Sequence, residues 1–239
     1  LAAVAAASAL VLAACGSDSD DDAGSDDSSA ASTADGVLTV GTLLPQTGSL
    51  SFLGPPEFAG VDLAVEEINA AGGVLGEDVV HVRGDSGDAD SGIAPAETDQ
   101  LLDAGSDVIV GAASSGVSLT VIDKIMSAGA IMFSPANTST AFDEGDFAEP
   151  DLYFRTAPSD ILQGAVLSNL LIQDGRQNIA ILARQDAYGE TLAEEIGKGV
   201  EAAGSTVATT TFYGETAQSF DSQVAEIANS SPDAVVLVA

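Results

Sequence analysis

The chain has 239 residues and combines a hydrophobic fraction of 46% with 37 acidic and only 6 basic residues, a formal net charge of −31. That hydrophobic fraction supports a buried core and excludes a wholly disordered chain. The charge excludes nucleic acid as a partner, because contacts to phosphates require Lys and Arg, and it opposes attraction to an anionic membrane surface. A single cysteine, Cys15, excludes internal disulfides.

The first 14 residues, LAAVAAASALVLAA, form an apolar stretch that is too short to span a membrane and is typical of a signal-peptide core. Because no Met or basic segment precedes it, we expect this signal peptide, 1–14, to be truncated at its start. Residues 12–15, LAAC, resemble the lipoprotein box of bacteria, which implies cleavage before Cys15 and attachment of lipid to its sulfur. An ordinary secretory signal with an incidental cysteine is the alternative. Residues 16–35 contain seven Asp and no basic residue, which predicts that 15–35 is a lipidated cysteine followed by an extended acidic tether.

Apolar strands and amphipathic helices alternate from residue 37 onward, a pattern that predicts parallel β-sheets covered by helices. We predict strands over residues 37–42, 79–83, 107–111, 130–134, 152–156, 178–183, 206–212 and 234–239. We predict helices over residues 56–70, 93–104, 117–128, 161–174, 189–203 and 219–229. A long polar loop at 135–150 interrupts the pattern and predicts two α/β lobes, 36–156 and 157–239. Since the sequence stops at a strand, we expect the second lobe to be incomplete.

The helix predicted over 56–70 carries the most informative residues of the chain. Phe58, Val61, Val65 and Ile68 recur at spacings of three and four, which is one apolar face of a helix. Prolines at its start and Gly72-Gly73 at its end are typical of helix boundaries. Residues 63–76, LAVEEINAAGGVLG, resemble the first helix and turn of bacterial solute-binding proteins of the branched-chain amino acid transporter type. An unrelated βα unit of a parallel sheet is the alternative.

This resemblance to the leucine/isoleucine/valine-binding proteins implies the two-lobe periplasmic binding protein type I fold. It also implies an extracytoplasmic, lipid-anchored protein that captures a small amino acid, branched-chain or otherwise aliphatic, between hinged lobes. The implied partners are that ligand, the permease subunits of an ABC importer and, through Cys15, the cell membrane. Two alternatives stay open: a urea or short-amide binder of the same fold, and a ligand-sensing ectodomain of a signalling system.

Ligands of parallel α/β sheets bind beyond the carboxyl ends of the strands, and two such ends carry suitable residues. The strand at 107–111 is followed by Ser114 and Ser115 at the start of a helix, where amides and hydroxyls bind a carboxylate. The strand at 130–134 is followed by Ala136 and Thr138, whose carbonyl and hydroxyl oxygens accept bonds from an ammonium group. A helix cap and a turn hydroxyl are the structural alternatives.

The resemblance gives these residues separate roles. It implies that Ser115 holds the ligand carboxylate, that the Ala136 carbonyl holds the ammonium group and that Thr138 contacts both. It also implies that the ring of Tyr188, at the start of a second-lobe helix, covers the ligand after closure; an exposed helix-cap residue is the alternative. Leu53 occupies a position where some members of the family have an aromatic ligand contact.

Residues suited to catalysis are scarce. The only histidine, His81, lies in an apolar strand, and the phosphate-loop, dinucleotide and Gly-x-Ser-x-Gly patterns are absent from the sequence. Asp85, Asp88 and Asp90 lack the glycine and glutamate of a calcium loop, so we interpret them as a solvated turn. The sequence therefore predicts a binding protein without enzymatic activity, cofactor or metal.

Overall fold

Two parallel β-sheets organise residues 35–143 and 152–239, the part of the chain that this computed structural model describes. The strands of the first sheet are β1 (Thr39–Leu44), β2 (Val80–Asp85), β3 (Val108–Gly111), β4 (Ile131–Ser134) and β5 (Tyr153–Arg155). Those of the second sheet are β6 (Asn178–Arg184), β7 (Thr206–Tyr213) and β8 (Ala234–Val238). The spatial orders are β2-β1-β3-β4-β5 and β7-β6-β8, and every neighbouring pair is parallel.

Helices connect the strands and cover both sheets. They are α1 (Gly54–Ala70), α2 (Ile93–Asp103), α3 (Ser115–Ser127), α4 (Asp160–Gln173), α5 (Ala187–Ala202) and α6 (Asp221–Ser230). Every predicted strand and helix is present, so the predicted α/β class with parallel sheets is confirmed. The predicted lobe boundary at 156/157 falls between β5 and α4, and the exact division remains a prediction. Two short 3-10 turns, Ala89–Ser91 and Thr140–Phe142, were not anticipated.

Each sheet has its own apolar core. In the first, Ile109 of β3 and Met132 of β4 are fully buried beneath Ile122 of α3. In the second, Ile181 of β6 is fully buried against Ile196 of α5. Parallel strands that helices cover on both faces have nearly continuous apolar runs, whereas Val235 and Leu237 of β8 are exposed.

The apolar face predicted for α1 is present, and it is only partly buried. Phe58 is buried, whereas Val61 and Val65 are half-buried and Ile68 is exposed. Periodicity identifies the apolar face of a helix but does not show how much of that face is buried. In the structure, α1 packs against β1 and β2. The predicted stop is confirmed, since Gly72 and the residue after it have φ values of +108° and +70°.

The close packing of α4 against α5 gives a test of the second lobe. An ideal Cβ at Gly164 would lie 2.6 Å from the Cβ of Glu195, so Gly164→Ala forces the helices apart. We expect it to lower the free energy of unfolding by about 1–3 kcal/mol, measured by urea titration. Gly197→Ala is the control, because its nearest neighbour, Val207 Cγ2, is 3.8 Å away and alanine favours a helix by about 0.5–1 kcal/mol. Equal stability of the two variants would contradict this packing.

Candidate ligand-binding site

A cavity of about 260 Å³ lies where loops of the first sheet face β6, α4 and α5 of the second. All six residues singled out from the sequence line it: Leu53, Ser114, Ser115, Ala136, Thr138 and Tyr188. The structure adds six further lining residues: Leu50, Phe52, Ala113, Gln163, Arg184 and Ala239. The predicted residues are thus brought together in one place, and their contact with a ligand remains a prediction.

The start of α3 forms one wall of the cavity. Ser114 is the N-cap of this helix, and its Oγ accepts a hydrogen bond from the Val117 amide at 3.4 Å. Ser114 therefore has the helix-capping role that was the alternative to ligand binding. Ser115 has a different environment, because its Oγ accepts from the amides of Thr138 and Ser139, both at 3.3 Å. As these bonds use the oxygen as an acceptor, the Ser115 hydroxyl proton is available for donation to a ligand.

A buried polar cluster joins the loops that follow β3 and β4. The Nδ2 of Asn137 donates to the carbonyls of Ala112 and Ala113 at 3.1 and 3.0 Å, and its Oδ1 accepts from the Tyr153 hydroxyl at 3.1 Å. The Ser134 hydroxyl donates to the same Ala112 carbonyl at 2.8 Å. Asn137 and Ser134 are fully buried. These bonds hold the residues on either side of Asn137 in a fixed position relative to Ser115.

The second-lobe wall is formed at the start of α5 and by α4. Tyr188 lies in the first turn of α5, is half-buried, and its hydroxyl accepts from Gln163 Nε2 at 3.4 Å. The alternative interpretation of Tyr188 as an exposed cap is wrong, because Asp186 is the N-cap and accepts from the Gly189 amide at 2.7 Å. The Tyr188 ring also packs against the core of the second sheet.

Arg184 is the charged residue of this wall that sequence reasoning missed. It is the last residue of β6, and its side chain is only 10% exposed. Its Nε donates to Asp186, and its Nη1 is 3.6 Å from Oε1 of Glu215. The available signal was a basic residue at the carboxyl end of a strand, in a chain with only 6 basic residues.

The two lobes also touch beside the cavity. The Ser49 hydroxyl of the first lobe lies 2.6 Å from Glu215 Oε1 of the second, and 3.1 Å from Asp88 Oδ1 of its own lobe. Elsewhere, the amide of the fully buried Asp160 donates to the Thr138 carbonyl at 2.8 Å. Polar contacts therefore connect the two lobes at these two places.

The remaining candidate groups have structural environments. His81 bridges its neighbours, with Nε2 3.0 Å from Thr42 Oγ1 and Nδ1 3.1 Å from Asp62 Oδ1. Within the predicted solvated turn, Asp85 accepts from the amides of Gln46 and Thr47 and so also stabilises a neighbouring loop. Across residues 35–143 and 152–239, no group of His, Cys, Asp or Glu is placed to hold a metal ion.

Comparison with known proteins agrees with this architecture. The chain matches the periplasmic binding protein family over residues 37–239. The chain belongs to this family. Its members are binding proteins and not enzymes, so the predicted absence of catalysis follows from membership. None of the helices in the described part of the chain is both long and apolar enough to cross a membrane.

Individual proteins of known name resemble this chain over most of its length. It is 30% identical over 185 residues to Leu/Ile/Val-binding protein homolog 3 of Brucella melitensis, which covers 74% of this chain and 47% of that protein. The chain thus spans about half the length of this curated relative. A leucine binding protein, LivK, from Thermotoga maritima superposes with a TM-score of 0.74 at 22% identity, covering 84% of this chain and 55% of that one.

A third relative shares the fold and has a different ligand. A solute binding protein of an ABC transporter from Rhodopseudomonas palustris, solved in complex with p-hydroxybenzoic acid, superposes with a TM-score of 0.75 at 18% identity. It covers 84% of this chain and 53% of that one. At these identities the two structures show the likeness of the fold.

Asp160 predicts a pH dependence of stability. Burial raises the pKa of its carboxyl, and the hydroxyls of Thr191 and Thr138 oppose this only in part. The folded state therefore keeps a proton that the unfolded chain releases above about pH 4, so this group destabilises the fold as pH rises. We expect the stability gain of Asp160→Asn over the parent to grow between pH 4 and pH 7 in urea titrations.

The control for this comparison is Asp174→Asn, which removes the same charge at the exposed end of α4. A stability difference between Asp160→Asn and the parent that stays constant over this pH range would show that Asp160 binds its proton no more tightly in the folded state.

Proposed function

We propose that the protein is the extracytoplasmic solute-binding component of an ABC importer and that it captures a small aliphatic amino acid, such as a branched-chain one, between its lobes. The observation that carries this proposal is the single cavity in which Ser115, Ala136, Thr138 and Tyr188 come together. Membership of the periplasmic binding protein family supports the class of function.

The first lobe supplies partners for both charged groups of an amino acid. The Ser115 hydroxyl and the free amides of the first turn of α3 suit the carboxylate. The Ala136 carbonyl and Thr138 hydroxyl suit the ammonium group. A free helix terminus contributes only about 0.3–1 kcal/mol. Hydrogen bonds to a charged group contribute about 1.5–3 kcal/mol each, so they provide most of the binding free energy.

The apolar part of the cavity favours an aliphatic side chain. Leu50, Phe52 and Leu53 line it together with the ring of Tyr188. A cavity of about 260 Å³ is large enough for a ligand of the size of an amino acid. Urea or a short amide would satisfy the polar groups and leave this apolar surface uncovered.

The excess of acidic residues is compatible with such a ligand. A zwitterion carries no net charge, so a chain with a formal charge of −31 attracts or repels it little at long range. Binding then depends on local donors and acceptors, and closure of the lobes removes them from water together with the ligand.

A thermal-shift series on the full-length protein tests the proposal. Leucine, isoleucine and valine should raise the melting temperature in proportion to occupancy, whereas sugars and nucleotides should not. Thr138→Val keeps the shape of the side chain and removes its hydroxyl, so it should weaken binding of the best amino acid by about 1.5–3 kcal/mol.

Thr120→Val makes the same substitution at an exposed position of α3 outside the cavity and should bind as the parent does. Parental affinity in Thr138→Val would place the site elsewhere in the protein. Selective stabilisation by urea, acetamide or p-hydroxybenzoate would show that the ligand is one of those compounds and not an amino acid.

We also propose that the protein is anchored to the membrane by lipid on Cys15. Residues 1–34 lie outside the described residues, and the proposal rests on the LAAC sequence at 12–15 and the acidic stretch after it. Cys15→Ser should move the protein from the membrane fraction to the soluble fraction of the native host without changing its melting temperature. A variant that sediments with membranes as the parent does would exclude the anchor.

A further inference from the structure

We propose that Arg184 binds the carboxylate of the ligand from the second lobe and makes the site selective for free acids over their amides. This inference rests on the proposed function, because it concerns the same cavity. It adds a residue and a selectivity rule that the first-lobe contacts do not supply.

The hydrogen bonding of Arg184 leaves donors available beside the cavity. Its side chain is nine-tenths buried and lines the cavity with Ser115 and Thr138. Only its Nε has a hydrogen bond within residues 35–143 and 152–239, to Asp186, since Nη1 is 3.6 Å from Glu215. A guanidinium has five N–H donors, and no Arg184 nitrogen is among the buried atoms that lack a partner in the described residues, so its terminal N–H groups remain accessible. The terminal N–H groups are therefore suited to an acceptor that occupies the cavity.

Both acidic neighbours of Arg184 have other donors. Asp186 accepts from the Gly189 amide at 2.7 Å at the positive end of α5, and Glu215 faces the Ser49 hydroxyl at 2.6 Å. These donors stabilise the two carboxylates independently of Arg184. The acidic pair thus fixes the guanidinium in place and leaves its terminal nitrogens for a further anionic group.

A carboxylate is the group that matches this arrangement. Its two oxygens accept about four hydrogen bonds, so it can accept from Ser115 of the first lobe and from Arg184 of the second at once. Bonds between a guanidinium and a carboxylate are charge-assisted and stronger than those to a neutral carbonyl. A carboxamide would keep one acceptor, lose the charge and place N–H donors against the Arg184 donors.

The experiment measures two acid–amide pairs, leucine with leucinamide and benzoate with benzamide, by calorimetry on the full-length protein. We expect the parent to prefer one of the acids over its amide. Arg184→Gln should reduce that preference by about 10- to 100-fold, chiefly through weaker binding of the acid. Arg176→Gln is the matched control. It removes the same charge at an exposed site just before the amino end of β6, and it should keep the preference for the acid over its amide.

If Arg184→Gln fails to fold, the double substitution Arg184→Gln with Asp186→Asn removes both charges of the pair and keeps a capping side chain on α5. It should show the same loss of preference. Equal weakening of acid and amide would assign Arg184 a structural role and overturn this inference while the proposed function stands. If the parent binds neither member of either pair, the inference and the proposed ligand class both fail.

Discussion

The site depends most on the buried side chain of Asn137. Asn137 lies in the loop after β4, and its amide nitrogen donates to two carbonyls of the loop after β3. Its amide oxygen accepts a hydrogen bond from the Tyr153 hydroxyl of β5. Three adjacent strands of the first sheet are thereby connected, β3 and β4 through the loops that follow them and β5 through its first residue. Loss of these bonds would leave the Ala113 carbonyl and the Tyr153 hydroxyl without these partners, a cost of about 1–3 kcal/mol each, whereas the Ala112 carbonyl would keep its bond from Ser134. This cluster gives a loop region the rigidity that ligand recognition requires.

The sequence was sufficient to predict the fold and a set of candidate residues that the fold brings together. Short apolar strands alternating with helices specify parallel sheets, and such sheets bind ligands at the carboxyl ends of their strands. Ser115 and Thr138 follow two adjacent strands in sequence, so their proximity was predictable. The six residues singled out beforehand all line one cavity.

Features that depend on long-range contacts were not predictable. The role of Asn137 depends on the spacing between loops that are more than 20 residues apart in the chain. Arg184 was passed over because a strand-end arginine indicates a site only when its surroundings bury it. The partly buried face of α1 was not predictable either, since periodicity identifies an amphipathic helix and does not show how much of its apolar face is buried. The division of roles between Ser114 and Ser115 likewise required the geometry of the helix start.

The hydroxyl of Ser49, beside the cavity, bears on the free energy of the proposed lobe movement. One hydroxyl proton is placed between two carboxylates, Asp88 within the first lobe and Glu215 across the cleft. When the lobes separate, the hydroxyl can rotate toward Asp88, so opening exchanges one acceptor for another and leaves no donor unsatisfied. The open and closed forms then have similar hydrogen-bond enthalpies at this point. In the proposed closure of the lobes, this contact would then contribute little for the empty protein, and the equilibrium would respond to the free energy that the solute itself supplies.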